Sequence, residues 1–115
     1  MSTQVQLFID PRQTIQDLTD AVEYLETHGW AQGYDFDGKG NVCAFGAIRG
    51  VTGDDNAQFV SEQTRDRCSN AGRAFYRIMG QDIVTWNDMQ GRTKFEVIRA
   101  LQTVADALRK DPSRA

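Results

Sequence analysis

The chain has 115 residues, 40% of them hydrophobic and 25% charged, with two prolines and two cysteines. That length supports one hydrophobic core and so one domain, residues 1–115, and the composition lies well away from the polar, charge-biased range of disordered chains. The formal net charge of −3 argues against a general nucleic-acid binder.

The charge is unevenly spread: residues 1–64 carry three Arg or Lys against ten Asp or Glu, whereas residues 65–115 carry ten against six. Two halves whose fields cancel on packing, or a dipolar surface that docks on a charged partner, both follow from that polarity. No apolar run approaches the ~18 residues needed to cross a bilayer, and MSTQVQLFIDPRQ lacks the basic-then-apolar layout of a secretion signal. A cytoplasmic protein is expected, with no membrane contact and with Cys43 and Cys68 as free thiols in a reducing compartment.

Val5, Leu7 and Ile9 alternate with Gln6 and Phe8, which predicts a short strand ended by Pro11, so that residues 1–12 form an N-terminal strand or tail. Thr14 is placed to cap a helix over 15–28 by accepting the Asp17 amide, with Ile15, Leu18, Val22 and Leu25 on one face and Gly29 as its end. Residues 32–43 predict a hairpin or Ω-type loop around Asp37-Gly38, carrying Tyr34, Phe36 and Val42. Asn41 then reads as the N-cap of a short helix with Val42, Phe45, Ile48 and Val51, closed by Gly50 or Gly53.

A second long helical pattern runs from Phe59 through Cys68 and Phe75 to Met79, with a break near Thr64 to Asp66 and a stop at Gly80. Thr93-Lys94-Phe95-Glu96 is a capping box that opens a helix over 93–109, whose stripe is Val97, Ile98, Leu101, Val104, Ala105 and Leu108. Residues 111–115 are left as a C-terminal tail. The expected fold class is mainly α: a compact single-domain helical fold of about four helices with a small β-hairpin or short strand.

The stretch DFDGKGNVCAFGAIRG, residues 35–50, invites a test against known chemistry. A calcium loop begun at Asp35 has Lys39 at its fifth position and Gly46 at its twelfth, where oxygen ligands are required. A phosphate loop needs a lysine and a hydroxyl after the second glycine, and Ala47-Ile48 follows Gly46 instead. One histidine and two well-separated cysteines do not make a zinc site. No metal or cofactor is expected.

Cys43 at the start of a helix could be activated by the dipole, with His28 as base and Asp88 or Asn87 as orienting group. The competing expectation, which is preferred, is a packed thiol beside Trp30 and Trp86, with His28 complementing its own helix end and Asn87 and Asp88 capping a turn.

Gly29-Trp30-x-Gln32-Gly33, Cys43-Ala44-x-Gly46-Ala47-Ile48, and Trp86-Asn87-Asp88 with Arg92-Thr93 together resemble a group of small proteins of actinobacteria and their phages known only as a domain of unknown function. The resemblance spans about residues 13–108, apart from 52–82. It implies that the Trp, Cys and Trp-Asn-Asp segments meet in space, that the place of His28 is not fixed as histidine, and that a phage origin with a host-directed role is in view. It supplies no activity.

The function expected is a non-catalytic binding or interaction protein with a protein partner, and in its narrower form a phage accessory factor acting on a host protein in the host cytoplasm. Trp30, Gln32, Trp86, Asn87, Asp88 and Arg92 are its candidate binding residues. One alternative is a cysteine-dependent enzyme using Cys43 with His28 and Asp88. Another is a weak nucleic-acid binder through Arg65, Arg73, Arg77, Arg92 and Lys94, although no recognised nucleic-acid motif accompanies them and no specific nucleic acid is expected. A small anion held between two helix starts and Arg92 is a further option.

Overall fold

The computed structural model describes residues 9–54 and 60–115. Among them are five α-helices: α1 (Pro11–His28), α2 (Ala44–Thr52), α3 (Glu62–Met79), α4 (Ile83–Asn87) and α5 (Lys94–Lys110), followed by a 3-10 turn over Pro112–Arg114. The mainly α expectation holds, with one more short helix than foreseen. Helix α1 packs chiefly on α5 and α2, while α3 lies against α1, α2 and α5.

Asp10, and not Thr14, caps α1: its side chain accepts the Arg12 amide at 2.9 Å, and Pro11 occupies the first turn. Proline suits that place because its fixed φ is helical and its missing N–H has no partner to lose there. Pro11 therefore starts a helix where it was expected to end a strand. The strand itself, Val5 to Ile9, falls almost wholly outside the described residues. Thr14 sits inside α1, 1% exposed, its hydroxyl without a hydrogen-bond partner among the described residues.

The hairpin expected over 32–43 is not formed. Val42 makes two isolated bridges, parallel to Trp30 and antiparallel to Phe36, and no strand exists among the described residues. Gly33, Gly38 and Gly40 all take positive φ and wind the chain too tightly for a ladder. Asp37 replaces ladder bonds with its carboxylate, which accepts from the amides of Lys39 at 2.8 Å and Asn41 at 3.1 Å. Asn41 is engaged there through its side chain as well, and the cap of α2 passes to Cys43.

Helix α3 is continuous from its Ser61 cap to Gly80, without the break expected near Thr64 to Asp66. The α5 capping box forms as expected: Glu96 donates its amide to the Thr93 hydroxyl and accepts the Thr93 amide. All five helices feed one hydrophobic cluster. Leu18, Leu25, Ile48, Phe75, Leu101 and Val104 are fully buried at its centre, whereas Trp30, Phe45, Ile78 and Ile98, expected inside, are only partly covered. Alanines 21, 44, 47, 71, 74, 100 and 105 fill the remaining buried places and let the helices approach closely.

The C-terminal residues are not a free tail, since Ala115 packs on the cluster and its carbonyl accepts from Arg77 at 2.9 Å. One charged group is taken into the interior. Asp17 is fully buried and is held by Arg67 of α3 at 2.7 and 3.1 Å and by Gln13 at 2.9 Å. A buried carboxylate is tolerated only when paired and hydrogen-bonded in this way.

Candidate functional site

Asp82 caps α4, accepting the amides of Val84 and Thr85, and thereby sets the direction in which Asn87 leaves the last turn. Asn87 has no exposed surface. Its Oδ1 accepts the Trp30 indole N–H at 2.7 Å and the Ala44 amide at 3.0 Å, and its Nδ2 donates to the Ala31 carbonyl at 3.2 Å and to Asp88 Oδ1 at 2.9 Å. The second of these supplies, from 43 positions away, one of the acceptors that the start of α2 lacks. Gln32 donates to the carbonyls of Asn87 and Met89, and the Gly33 amide donates to Asp88. The segments carrying Trp30, Cys43 and Trp86-Asn87-Asp88 thus meet, as the motif resemblance implied.

Cys43 is 2% exposed. Its Sγ accepts the Gly46 amide at 3.3 Å as the cap of α2, and its S–H donates to Asp35 Oδ1 at 3.4 Å. The other Asp35 oxygen is held by Arg49 at 2.6 Å. Burial pushes the thiol up to about 11, with the Asp35 charge adding to the rise and the Gly46 amide opposing it. The backbone carbonyl of Asp35 also accepts the Cys43 amide, and a Cβ on Gly46 would collide with that carbonyl. Only glycine fits there.

The three members of the alternative catalytic set have separate partners. His28 Nδ1 lies 2.9 Å from the Thr27 hydroxyl and 3.1 Å from the Tyr24 carbonyl, and its ring stacks on Tyr24 with centroids 3.9 Å apart. Asp88 accepts from Gly33 and Asn87. No hydrogen bond links Cys43, His28 and Asp88 to one another, and burial with a raised thiol pKa is the reverse of what activates a cysteine. Among the described residues no group of three or more His, Cys, Asp or Glu is placed to hold a metal ion.

Arg92 is turned onto its own neighbourhood. Its guanidinium lies 3.6 Å from the Trp86 ring centroid, Nε donates to the Trp86 carbonyl at 2.9 Å, and Nη1 faces Glu96 at 3.5 Å. Several amides at the two helix starts are held by the protein itself: Ala44 N–H by Asn87, Gly46 N–H by Cys43, and Glu96 and Thr93 N–H by the capping box. The nucleic-acid candidates split in the same way, with Arg65, Arg73 and Arg77 exposed on α3 and Arg92 stacked on Trp86 beyond α4.

A model of a family of unknown function, DUF6197, matches residues 10–107. The chain belongs to the DUF6197 family. No curated protein and no solved structure matches it.

In this DUF6197 chain the motif residues form a junction that runs from the buried Asn87 and Cys43 out to the exposed Gln32 and Asp88, and a second feature lies on the surface. Phe95 is 66% exposed and Met89 is 44% exposed. Phe95, Met79, Glu96, Arg99, Ala100 and the edge of the buried Trp86 border an open cleft of about 270 Å³ between the end of α3, α4 and the start of α5, and Arg99 reaches over the Phe95 ring at 5.7 Å. Phe95 was visible in the sequence only as a member of the capping box. The signal that could have singled it out is its place two residues ahead of the stripe that starts at Val97, which turns a large ring to solvent.

Proposed function

We propose that this DUF6197 protein acts by binding another protein, through the surface built by Trp86, Met89, Phe95, Arg92 and Arg99. The observation that carries this reading is the exposure of Phe95 beside the Trp86 cleft, with an arginine stacked on each ring. Aromatic residues, Met and Arg are the types enriched in protein interfaces, and Trp and Arg dominate their binding hot spots. Phe95 borders the cleft together with Met79, Trp86 and Ala100, and a contiguous apolar patch, unlike an isolated exposed ring, marks an interaction site. The motif residues Trp30, Gln32, Asn87 and Asp88 support that surface from beneath, because their hydrogen bonds fix the α4 turn that carries Trp86 and Met89. Cys43 and His28, with their separate partners, belong to the scaffold in this reading. A role as a phage accessory factor acting on a host protein, in the host cytoplasm, is its narrower form and rests on the motif resemblance.

The test is affinity capture with wild-type protein and with Phe95→Glu, which alters an exposed side chain and should leave the helical circular dichroism unchanged. A protein captured by wild type and lost with Phe95→Glu supports the reading. Equal capture by both, or none by either, counts against it.

A further inference from the structure

Resting on the protein-binding reading above, we propose that the cleft between α3, α4 and α5 takes an acidic segment of the partner protein, one that inserts a single large apolar side chain beside Trp86 and places a carboxylate on Arg99. The openness of the cleft, more than its size, fits one inserted side chain better than a free metabolite. Small-molecule pockets are enclosed and hold roughly 300–1,000 Å³, whereas this one holds about 270 Å³ and opens broadly to solvent. Met79, Trp86, Phe95 and Ala100 give it apolar walls. Flexible methionine and rigid aromatic surfaces are suited to an inserted aliphatic or aromatic anchor.

The sign of the partner's charge follows from which groups around the cleft are already satisfied. Glu96 is occupied on both oxygens, by the Thr93 amide and hydroxyl at 3.0 and 3.1 Å and by Arg92 at 3.5 Å. Asp82 is occupied as the cap of α4. Arg99, by contrast, has the Phe95 ring as its neighbour and no carboxylate within ion-pair distance among the described residues. Arg99 is therefore the charge lining the cleft that lacks a partner of opposite sign among the described residues, beside the Arg92–Glu96 pair. A carboxylate arriving with the anchor would pair with Arg99 over an aromatic face, where partial exclusion of water strengthens the contact. A basic segment would meet the unpaired Arg99, with Glu96 already held by Arg92 and the Thr93 cap, and like-charge juxtaposition is strongly disfavoured at interfaces.

The experiment uses the full chain and a display library of random twelve-residue peptides, with the selected peptides then synthesised with a fluorescent label and titrated by anisotropy. The expected peptides carry one Phe, Trp, Leu or Met flanked by Asp or Glu, lose at least about tenfold in affinity against both Phe95→Ala and Arg99→Glu, and bind more weakly as salt is raised. Peptides without acidic residues, or ones lost with Phe95→Ala but indifferent to Arg99→Glu, overturn the acidic partner and leave the protein-binding surface standing. Peptides indifferent to both variants, no selected peptide at all, or self-association in sedimentation that Phe95→Ala abolishes, overturn this proposal; the first two also remove its support from that surface. Circular dichroism of both variants confirms that each lost contact is local, since both side chains are exposed.

Discussion

Replacing Asn87 with Ala removes four hydrogen bonds from a side chain that has no contact with solvent. Asp88 keeps the Gly33 amide as a donor, so three groups are stranded: the Trp30 indole N–H, the Ala44 amide and the Ala31 carbonyl. A buried polar group left unsatisfied costs about 1–3 kcal/mol. The Ala44 amide is buried, and the other two are close enough to the surface for water to offset part of the loss. Counting about 2 kcal/mol for the first and about 1 for each of the others gives a loss of about 4 kcal/mol, a large fraction of the ~5–15 kcal/mol that holds a domain together.

Urea unfolding followed by far-ultraviolet circular dichroism measures this directly, and the midpoint should fall with little change in slope. In a thermal scan the same loss corresponds to a drop of roughly 10–20 °C. Trp30→Phe, which removes only the indole donor, should cost less, and the double variant should show a coupling of about 1 kcal/mol with Asn87→Ala. A loss below about 1 kcal/mol for Asn87→Ala, or strict additivity with Trp30→Phe, would refute the idea that this side chain joins the segments energetically.

Cys43 should react slowly with iodoacetamide at neutral pH in the native protein and quickly once unfolded, because its folded-state pKa is about 11 and its sulfur is covered. The same shift links stability to pH. The folded thiol keeps its proton after the unfolded thiol, near 9, has released it, so the stabilisation is full below pH 9 and fades as pH rises toward 11. A Cys43→Ser variant should lose stability less steeply over that interval, and identical slopes would contradict the assignment. Arg67→Met should cost about 3–5 kcal/mol, since it strands the fully buried Asp17 carboxylate, whereas the double variant Asp17→Ala with Arg67→Met should recover much of that loss; equal damage in both would show that the pair is not coupled.

Features set by neighbours in sequence were legible, and those set by distant contacts were not. The Thr93 box and the stops at Gly29 and Gly80 depend on residues within one turn and are found where the sequence put them, and of the two stops offered for α2, Gly50 or Gly53, it is Gly53 that ends it. Thr14 misled because it satisfies the capping pattern equally well, yet Pro11 at the first turn was the stronger signal. Cys43 as a cap lay outside the usual set, since sulfur is a weak acceptor. Helix α4 is only five residues long, too short to show a period. The buried alanines carry no visible pattern, because a small residue reads equally well on either face of a helix. The candidate residues Trp30, Gln32, Trp86, Asn87, Asp88 and Arg92 were picked out as motifs. Their mutual bonding could be anticipated from the resemblance, but the direction of those bonds, inward and away from any visitor, required the folded chain.

The bond from Asn87 to the Ala44 amide has a consequence for the order in which the molecule is built. Helix α2 has nine residues, fewer than the ~12–15 at which a helix is even marginal by itself. On a ribosome its sequence emerges well before Asn87, so α2 and the loop ahead of it must stay hydrated and unsettled while α3 is still being made. The first turn of α2 gains that acceptor only when the α4 turn arrives, while α5, the chief partner of α1, is still to come. A protein truncated just before Asn87 would keep every residue of α1, α2 and α3 and still lack the clasp that gives α2 its beginning.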